Sequence, residues 1–173
     1  RIGQYGMLIR NNTGRLSNMI EEILRYSRLE GRGMADPVLI SVHLHDLLWE
    51  LQTSLDQTVR EQNINISWEY SSLPQGALVD PEGLRLILEN IITNAVHHAY
   101  SDKTGGTIRI LARTSLPRSL QFNIEDDGRG ISRKEQKHIF DPFFRDAKSR
   151  ERQEPGSGLG LFLSEKVARA MDG

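Results

Sequence analysis

The middle of the sequence predicts a helix that carries the stretch Asn90-Ile91-Ile92-Thr93-Asn94-Ala95. Asp80 is a suitable N-cap for this helix, Pro81 suits its first turn, and the helical pattern runs to about residue 99. The two asparagines are four positions apart, so they lie on one face, one turn from each other. An amide oxygen is a neutral ligand that suits Mg²⁺, which takes most of its charge compensation from substrate phosphates. The alternative interpretation is a helix with two surface asparagines.

Further along the chain, a predicted strand ends in the acidic turn Ile124-Glu125-Asp126-Asp127-Gly128-Arg129-Gly130-Ile131. An ionised carboxylate only accepts hydrogen bonds, so it disfavours a phosphate and favours an exocyclic amine such as that of adenine. The alternating glycines permit a positive φ and let a ligand approach the backbone. The alternative interpretation is an ordinary polar turn, because Asp-Gly is a common turn pair.

A third stretch, Ile139-Phe140-Asp141-Pro142-Phe143-Phe144-Arg145, places three phenylalanines at the edge of a charged loop over residues 141–156. Lys148 and Arg150 lie in that loop. A loop anchored by aromatic side chains and carrying guanidinium groups can fold over a phosphate tail. The alternative interpretation is core packing for the aromatic rings and a solvated charge run for the rest.

The fourth stretch, Gly156-Ser157-Gly158-Leu159-Gly160-Leu161, opens a predicted final helix over residues 158–171. Backbone N–H groups at a glycine-rich helix start bind anions. The stretch matches neither the Walker pattern nor a dinucleotide fingerprint. Its leucines disfavour the alternative of a flexible linker. Together the four stretches supply a magnesium ligand, an acceptor for an adenine amine, a covering loop and a phosphate-binding helix start, and so predict one nucleotide site.

Around these stretches the sequence predicts alternating strands and helices in two parts. A long helix with an apolar stripe occupies residues 1–30 and ends at Gly31 and Gly33, so residues 1–33 are predicted to be a separate helix and linker. Residues 34–173 form the second predicted domain. Its further predicted strands cover residues 38–42, 64–70, 77–79, 107–113 and 120–125, and its further predicted helices cover residues 43–62 and 132–139.

Composition excludes several function classes for this chain of 173 residues. A net charge of -1 lacks the basic excess of a nucleic-acid-binding surface. With no cysteines, the chain has no disulfide, thiolate metal site or cysteine nucleophile. No apolar run reaches the roughly 20 residues that cross a bilayer. Because the first residue is Arg1 and not Met, we expect a piece of a longer protein.

In this order, the four stretches resemble the histidine-kinase branch of the GHKL ATPase superfamily, which includes gyrase, the mismatch-repair MutL proteins and a heat-shock chaperone family. They are similar to its asparagine box (residues 90–95), first glycine box (126–130), phenylalanine box (140–144) and second glycine box (156–161). The resemblance covers roughly residues 38–173. It implies an α/β fold of the Bergerat type, an α+β two-layer sandwich with a mixed sheet and helices on one face. The preceding long helix resembles the second helix of the family's dimerisation and phosphoacceptor domain.

The resemblance also implies a role for each matching residue. Asn94 matches the Mg²⁺ ligand, and Asp126 matches the adenine-binding aspartate. Asn90 lies where the ATP hydrolases of the superfamily have a catalytic glutamate, and an amide cannot act as a general base. The implied catalytic residues are Asn90, His97 and Arg145. The implied ATP contacts are Asn94, His98, Asp126, Gly128, Gly130, Ile131, Phe140, Ser157, Gly158, Leu159 and Gly160.

The histidines depart from the family pattern. His97 stands where the family often has Lys or Arg, and an imidazole there would make a weaker phosphate contact whose charge varies near neutral pH. The alternative interpretation for His97 and His98 is a pair of helix-surface histidines. None of His43, His45, His97, His98 and His138 has the surroundings of the family's phosphoacceptor, so we expect the acceptor upstream of Arg1. We also expect the family's final strand pair after Gly173.

The implied function is transfer of the ATP γ-phosphate to a protein histidine, with Mg²⁺, followed by transfer to an aspartate on the receiver domain of a response regulator. The implied parent is a homodimer through its helical domain. It is anchored in the bacterial inner membrane only through segments outside this chain, which lies in the cytoplasm and binds no nucleic acid. Two alternatives are a GHKL-type ATPase and a nucleotide-sensing pseudokinase or interaction module.

Overall fold

The structure is a computed structural model that describes residues 37–99, 105–116, 119–146, 149 and 156–173, together with Ile20, Ile23, Leu24 and Ser27. Those four isolated positions are helical and exposed. The rest of the predicted helix over residues 1–30 lies outside the described residues, so the division into two domains stays a prediction. In the described part of the chain, no helix has both the length and the apolar character that crossing a membrane requires.

From residue 40 onwards the chain forms five strands and three α-helices in the described residues. The elements are β1 (Ile40–His43), α1 (Leu44–Glu61), β2 (Ile64–Glu69), β3 (Gly76–Val79), α2 (Pro81–Asn94), β4 (Gly106–Leu116), β5 (Ser119–Asp126) and α3 (Gly160–Ala170). Asp80 caps α2 as predicted, because its Oδ1 accepts a hydrogen bond of 3.0 Å from the N–H of Gly83.

The strands form two sheets. β1 and β3 pair antiparallel as a two-stranded sheet, whereas β2, β4 and β5 form a three-stranded mixed sheet in that order. β2 runs parallel to β4 with Ile64 opposite Gly106, and β4 runs antiparallel to β5 with Ile108 opposite Asp126. Parallel neighbours need a crossover connection. Here β3 and α2 lie within that crossover, so the helix with both asparagines connects two strands of one sheet.

One hydrophobic core lies between α1, α2 and one face of the mixed sheet. The alternate β4 residues Ile108, Ile110 and Ala112 are buried on that face, while Arg109 and Arg113 on the opposite face are exposed. Burial of each large apolar side chain contributes roughly 1.5–3 kcal/mol. The helix residues of this core are Leu44, Leu47, Leu48, Leu51, Leu55 and Val59 from α1 and Leu84, Leu88 and Ile92 from α2.

A second cluster packs α3 against α2. It contains Leu86 of α2 with Leu159, Leu163 and Val167. The two helices approach closely at Gly83, where an added Cβ would lie 2.9 Å from Cγ1 of Val167. The start of α3, which carries the second glycine stretch, is thereby held beside the asparagine helix.

The predicted fold class is confirmed, because the chain has a mixed sheet covered by helices. The predicted helix over residues 132–139 is wrong. Only a single 3-10 turn forms there, Glu135–Lys137, with the N–H of Glu135 bonded to Oγ of Ser132 at 3.3 Å. This segment is polar and mostly exposed. Without an apolar face to bury, it cannot offset the cost of helix nucleation.

The asparagine helix reaches residue 99 as predicted but changes its form near the end, and the final helix begins later than predicted. After Asn94 the helix continues as the π-helical turn Ala95–Ala99, in which the N–H of Ala95 bonds to the carbonyls of both Ile91 and Ile92. Helix α3 begins at Gly160 and not at residue 158, because Gly158 has a φ of +78° that no right-handed helix accommodates.

Candidate nucleotide-binding site

Asn90 connects the asparagine helix directly to the start of α3. Its Nδ2 donates hydrogen bonds to the carbonyl of Gly160 at 3.0 Å and to Oγ of Ser164 at 3.1 Å. A Cβ added at Gly160 would lie 3.3 Å from Oδ1 of Asn90, which is tighter than an ordinary contact. Two stretches that are 70 positions apart in the sequence are therefore in direct contact.

Asn94 lies one turn further along and is half-buried. No described residue hydrogen-bonds to its side chain, so its amide oxygen can accept a ligand. The described residues contain no group of three or more His, Asp or Glu that could hold a metal ion. An Mg²⁺ ion at Asn94 would therefore take most of its ligands from phosphates and water, as this ion commonly does beside nucleotides.

The π-helical turn follows Asn94 and carries the two histidines. His97 is exposed there, and the His98 side chain lies outside the described residues. Single π-turns inside helices occur frequently at functional sites. The turn widens the helix immediately after the residue predicted to bind the metal.

Asp126 ends β5 and is exposed. Its Oδ1 accepts a hydrogen bond of 2.9 Å from the N–H of Gly128, and no described residue donates to its Oδ2. The next residue, Asp127, extends the strand pairing, because its Oδ1 accepts from the N–H of Thr107 at 2.8 Å. The turn is thus fixed while one oxygen of Asp126 remains able to accept a hydrogen bond from a ligand amine.

The rest of this first glycine stretch is open. Gly130 has a φ of +68°, and no atom lies within 4 Å of a Cβ built on it. Ile131 is exposed, as are Phe140 and Phe143 from the phenylalanine stretch. Only Phe144 of the three phenylalanines is half-buried, and its ring centroid lies 5.9 Å from that of His138. The alternative interpretation was that these rings pack in the core. It is wrong for Phe140 and Phe143, because both are exposed.

Gly158 brings the second glycine stretch against the phenylalanine stretch. A Cβ at this position would lie 2.6 Å from the carbonyl oxygen of Phe144 and 2.7 Å from the carbonyl carbon of Phe143. Its φ of +78° is also one that side chains rarely adopt. Phe143 has a positive φ of 63° as well, although it carries a large side chain. Only glycine fits at residue 158 in this arrangement.

The start of α3 suits an anion. Oγ of Ser157 accepts from the N–H of Leu159 at 3.0 Å, and no side chain caps the helix. No described residue accepts from the N–H groups of Gly160 and Leu161. Unpaired N–H groups and the positive end of the helix dipole together favour phosphate.

A partly buried polar cluster joins Arg129 to the segment after the phenylalanines. Arg129 Nη2 lies 3.1 Å from Oδ2 of Asp146, and these side chains are only 21% and 22% exposed. The N–H and Oγ of Ser149 donate to Asp146 at 3.1 and 2.5 Å, and Ser149 is 1% exposed. Arg145 Nη2 donates to the Ser149 carbonyl at 3.2 Å.

Asp146 is ionised in this cluster. Burial alone raises its pKa, but the two hydrogen bonds from Ser149 and the charge and hydrogen bond of Arg129 outweigh burial. The pKa of Asp146 is therefore lower than the ordinary value of a carboxyl group. Asp146 and Arg129 form a charged pair at physiological pH.

Contacts thus connect the predicted stretches, the first glycine stretch through Asp146, which directly follows the phenylalanine stretch. Asn90 contacts Gly160, Gly158 contacts Phe143 and Phe144, and Arg129 contacts Asp146. Sequence reasoning missed Ser164, Arg129, Asp146 and Ser149. A usable indication existed only for Ser164, which follows Gly160 by one helical turn on the side of α3 that packs on α2.

The chain is similar to one protein family and to several curated proteins. The family described as "Histidine kinase-, DNA gyrase B-, and HSP90-like ATPase" matches residues 79–173. The sensor protein RstB of Escherichia coli strain K12 is 30% identical over 172 residues, which cover 95% of this chain and 36% of RstB. Other curated relatives are named sensor histidine kinases.

Solved structures have the same fold. Full-length ShkA in complex with AMPPNP aligns with a TM-score of 0.75 and 26% identity over 98% of this chain and 34% of ShkA. The histidine kinase ThkA, in complex with the response regulator protein TrrA, aligns with a TM-score of 0.63 and 23% identity over 84% of this chain and 41% of ThkA. The chain thus spans about a third of RstB and ShkA. Because the family match covers more than half of its length, the chain belongs to the histidine kinase-, DNA gyrase B-, and HSP90-like ATPases.

Proposed function

We propose that this chain is the ATP-binding catalytic domain of a sensor histidine kinase. It would bind Mg-ATP and present the γ-phosphate to a histidine upstream of Arg1. The observation that carries the proposal is the series of contacts from Asn90 to Gly160 and from Gly158 to Phe144, continued by the contact of nearby Asp146 with Arg129 in the loop after Asp126. The likeness to ShkA, whose structure contains AMPPNP, supports an adenine nucleotide as the ligand.

Each end of the nucleotide has a matching group. Adenine has an exocyclic amine, and the available Oδ2 of Asp126 can accept a hydrogen bond from it. The phosphates carry negative charge, and the N–H groups at the start of α3 can donate to them. Bound Mg²⁺ neutralises charge on the phosphates. Asn94 would hold this ion through its amide oxygen.

Asn90 favours transfer over hydrolysis. Its amide cannot accept a proton from water, and its nitrogen is already bonded to Gly160 and Ser164. The site therefore lacks a general base at this position, and ATP would remain intact until an acceptor histidine arrives. Arg145 is the proposed cation for charge that develops on the transferred phosphoryl group, while His97 and His98 are proposed to lie near the phosphates.

The partners follow from the same proposal. ThkA, which has this fold, has been solved with the response regulator protein TrrA. By analogy we propose that the phosphohistidine of the parent donates its phosphate to an aspartate of a receiver domain. We also propose that the parent is a homodimer through its helical domain, with this chain in the cytoplasm and a membrane anchor elsewhere in the protein.

The substitution Asp126→Asn tests the adenine contact. We expect it to weaken binding of a fluorescent ATP analogue roughly 10- to 100-fold, since a charge-assisted hydrogen bond contributes about 1.5–3 kcal/mol. The matched control is Asp127→Asn, which changes the neighbouring carboxylate that pairs with Thr107. Unchanged affinity in Asp126→Asn, or an equal loss in the control, would refute the adenine assignment.

A second experiment separates a kinase from the two alternatives. The chain is extended upstream to include the histidine-bearing helix and incubated with Mg-ATP. Acid-labile phosphate on the protein with slow steady-state hydrolysis supports the kinase. Fast hydrolysis without phosphohistidine favours an ATPase, whereas nucleotide binding with neither product favours a nucleotide-sensing module.

A further inference from the structure

We propose that Arg129, Asp146 and Ser149 form a brace that fixes the spacing between two parts of the nucleotide site. The adenine side is the loop at residues 126–130, and the phosphate side is the glycine stretch at residues 156–161. The three residues would act as positioning residues and would not touch the nucleotide. The inference rests on the proposed function, because it assumes that one nucleotide spans both sides.

The brace contacts the adenine side through Arg129. This residue stands between Gly128 and Gly130, directly after the turn in which the N–H of Gly128 bonds to Asp126. Its guanidinium lies 3.1 Å from Oδ2 of Asp146 and 3.5 Å from Oγ of Ser149. Any shift of the segment that holds Asp146 is therefore transmitted to the turn that orients Asp126.

The same segment contacts the phosphate side two residues earlier. The carbonyl oxygen of Phe144 would be 2.6 Å from a Cβ on Gly158, so the two backbones are packed as closely as glycine allows. Phe144 and Asp146 are separated by one residue, a distance of at most about 7 Å along the chain. This short piece of backbone thus sits between the two glycine stretches and contacts both.

The chemistry of the cluster suits positioning better than stability. Both oxygens of Asp146 accept hydrogen bonds, and the buried Oγ of Ser149 is used as well. A partly buried ion pair of this kind adds little net stability, because desolvation and solvent screening oppose the attraction between the charges. Its hydrogen bonds nevertheless constrain how the two segments lie against each other. The pair Arg60–Asp56 on α1 provides a contrast, since its side chains are 77% and 52% exposed and contact no other element through that bond.

A fixed spacing affects only ligands that touch both sides. ATP gains affinity when its two sets of contacts are already arranged, because binding then costs less ordering. Adenosine touches the adenine side alone, and inorganic triphosphate touches the phosphate side alone. Loosening the brace should therefore weaken ATP selectively.

The test measures the affinity of the 173-residue chain for Mg-ATP, adenosine and magnesium triphosphate, the last two by competition with a fluorescent ATP analogue. The variants are Arg129→Gln, Asp146→Asn and their combination, and the matched control variants are Arg60→Gln and Asp56→Asn. We expect about fivefold to tenfold weaker ATP binding in each brace variant, a moderate effect for residues that modulate a site without touching the ligand. We expect the double variant to be no weaker than the weaker single one. Adenosine and triphosphate affinities should stay within about twofold.

The outcomes separate the inference from the proposed function. If the unaltered chain does not bind Mg-ATP, the proposed function fails. If it binds Mg-ATP and the brace variants bind equally well, or lose adenosine in parallel with ATP, the brace is wrong and the site stands. Arg129→Lys retains the charge and should restore most of the ATP affinity. A thermal-unfolding measurement checks that Arg129→Lys is folded. If the folded Arg129→Lys variant binds ATP as weakly as Arg129→Gln, a charge-dependent brace is excluded.

Discussion

The loop at residues 126–130 and the loop at residues 156–160 face the same proposed ligand but are held by different forces. The first is held by polar contacts, from Gly128 to Asp126 and from Arg129 to Asp146. The second is held mainly by close packing, since Gly158 lies against the backbone of Phe143 and Phe144. A loop held by packing rejects added atoms, whereas a loop held by charges responds to protonation. The expected effects of substitution differ accordingly.

The largest effect is expected from Gly158→Ala. The new methyl group would lie 2.6 Å from a backbone oxygen, which cannot move as a side chain can, and the φ of +78° adds strain. Backbone strain of this kind costs about 1–3 kcal/mol, and together with the contact against backbone atoms we expect roughly 100-fold weaker Mg-ATP binding. Calorimetric titration of the purified variant provides the measurement.

Gly130→Ala is the matched control for Gly158→Ala. Its φ of +68° imposes a similar conformational cost, but a methyl group there meets no atom within 4 Å. We expect a loss of about 1 kcal/mol in the free energy of unfolding and a much smaller change in ATP affinity. Equal losses in the two variants would show that positive φ alone matters and that close packing does not distinguish the loops.

A smaller effect is expected from Asn90→Ala, which removes both hydrogen bonds from α2 to the start of α3. The carbonyl of Gly160 still accepts from Oγ of Ser164 at 3.0 Å, so no acceptor is stranded. We expect the free energy of unfolding to fall by about 1–2 kcal/mol. Urea denaturation compares this variant with Asn65→Ala, which changes an exposed position on β2. If Asn65→Ala lowers the free energy of unfolding as much as Asn90→Ala does, the specific role of Asn90 is contradicted.

The smallest effect concerns protonation at the first loop. Because folding lowers the pKa of Asp146, its charge stabilises the folded chain above the ordinary value of 3.8, and this contribution is lost as the pH falls through the lower, folded value. The pair is partly exposed, so the contribution stays below about 1 kcal/mol. Urea denaturation between pH 7 and pH 3 should show wild type more stable than Asp146→Asn at pH 7 and a difference in stability that narrows once the pH falls below 3.8. A gap independent of pH would contradict this assignment.

Local patterns predicted much of this fold. Alternation in residues 64–70 predicted β2, the Asp80-Pro81 pair predicted the start of α2, and the apolar stripe predicted α1. These features depend on neighbours within one turn or one strand, so the sequence displays them directly. The motifs of the site were located in the same way, and the family match over residues 79–173 includes all four.

Long-range pairings could not be predicted from such patterns. Asp146 lies 17 positions from Arg129, and nothing in the intervening residues indicates that the two meet. The bond from Asn90 to Gly160 depends on how α3 packs on α2 around Gly83, which is a tertiary event. The helix predicted over residues 132–139 does not form, although its local sequence favours one. Its residues lack a surface to pack on.

The parallel pairing of β2 with β4 makes assembly of the nucleotide cleft the same event as completion of the sheet. Strand β4 joins β2 only after the chain has passed through β3 and α2, and contacts that close such long loops form late during folding. The asparagine helix therefore reaches its final position when the central strand β4 pairs with β2. We expect no partly folded form of the chain to recognise a nucleotide, so a nascent chain would gain ligand-binding ability in one cooperative step.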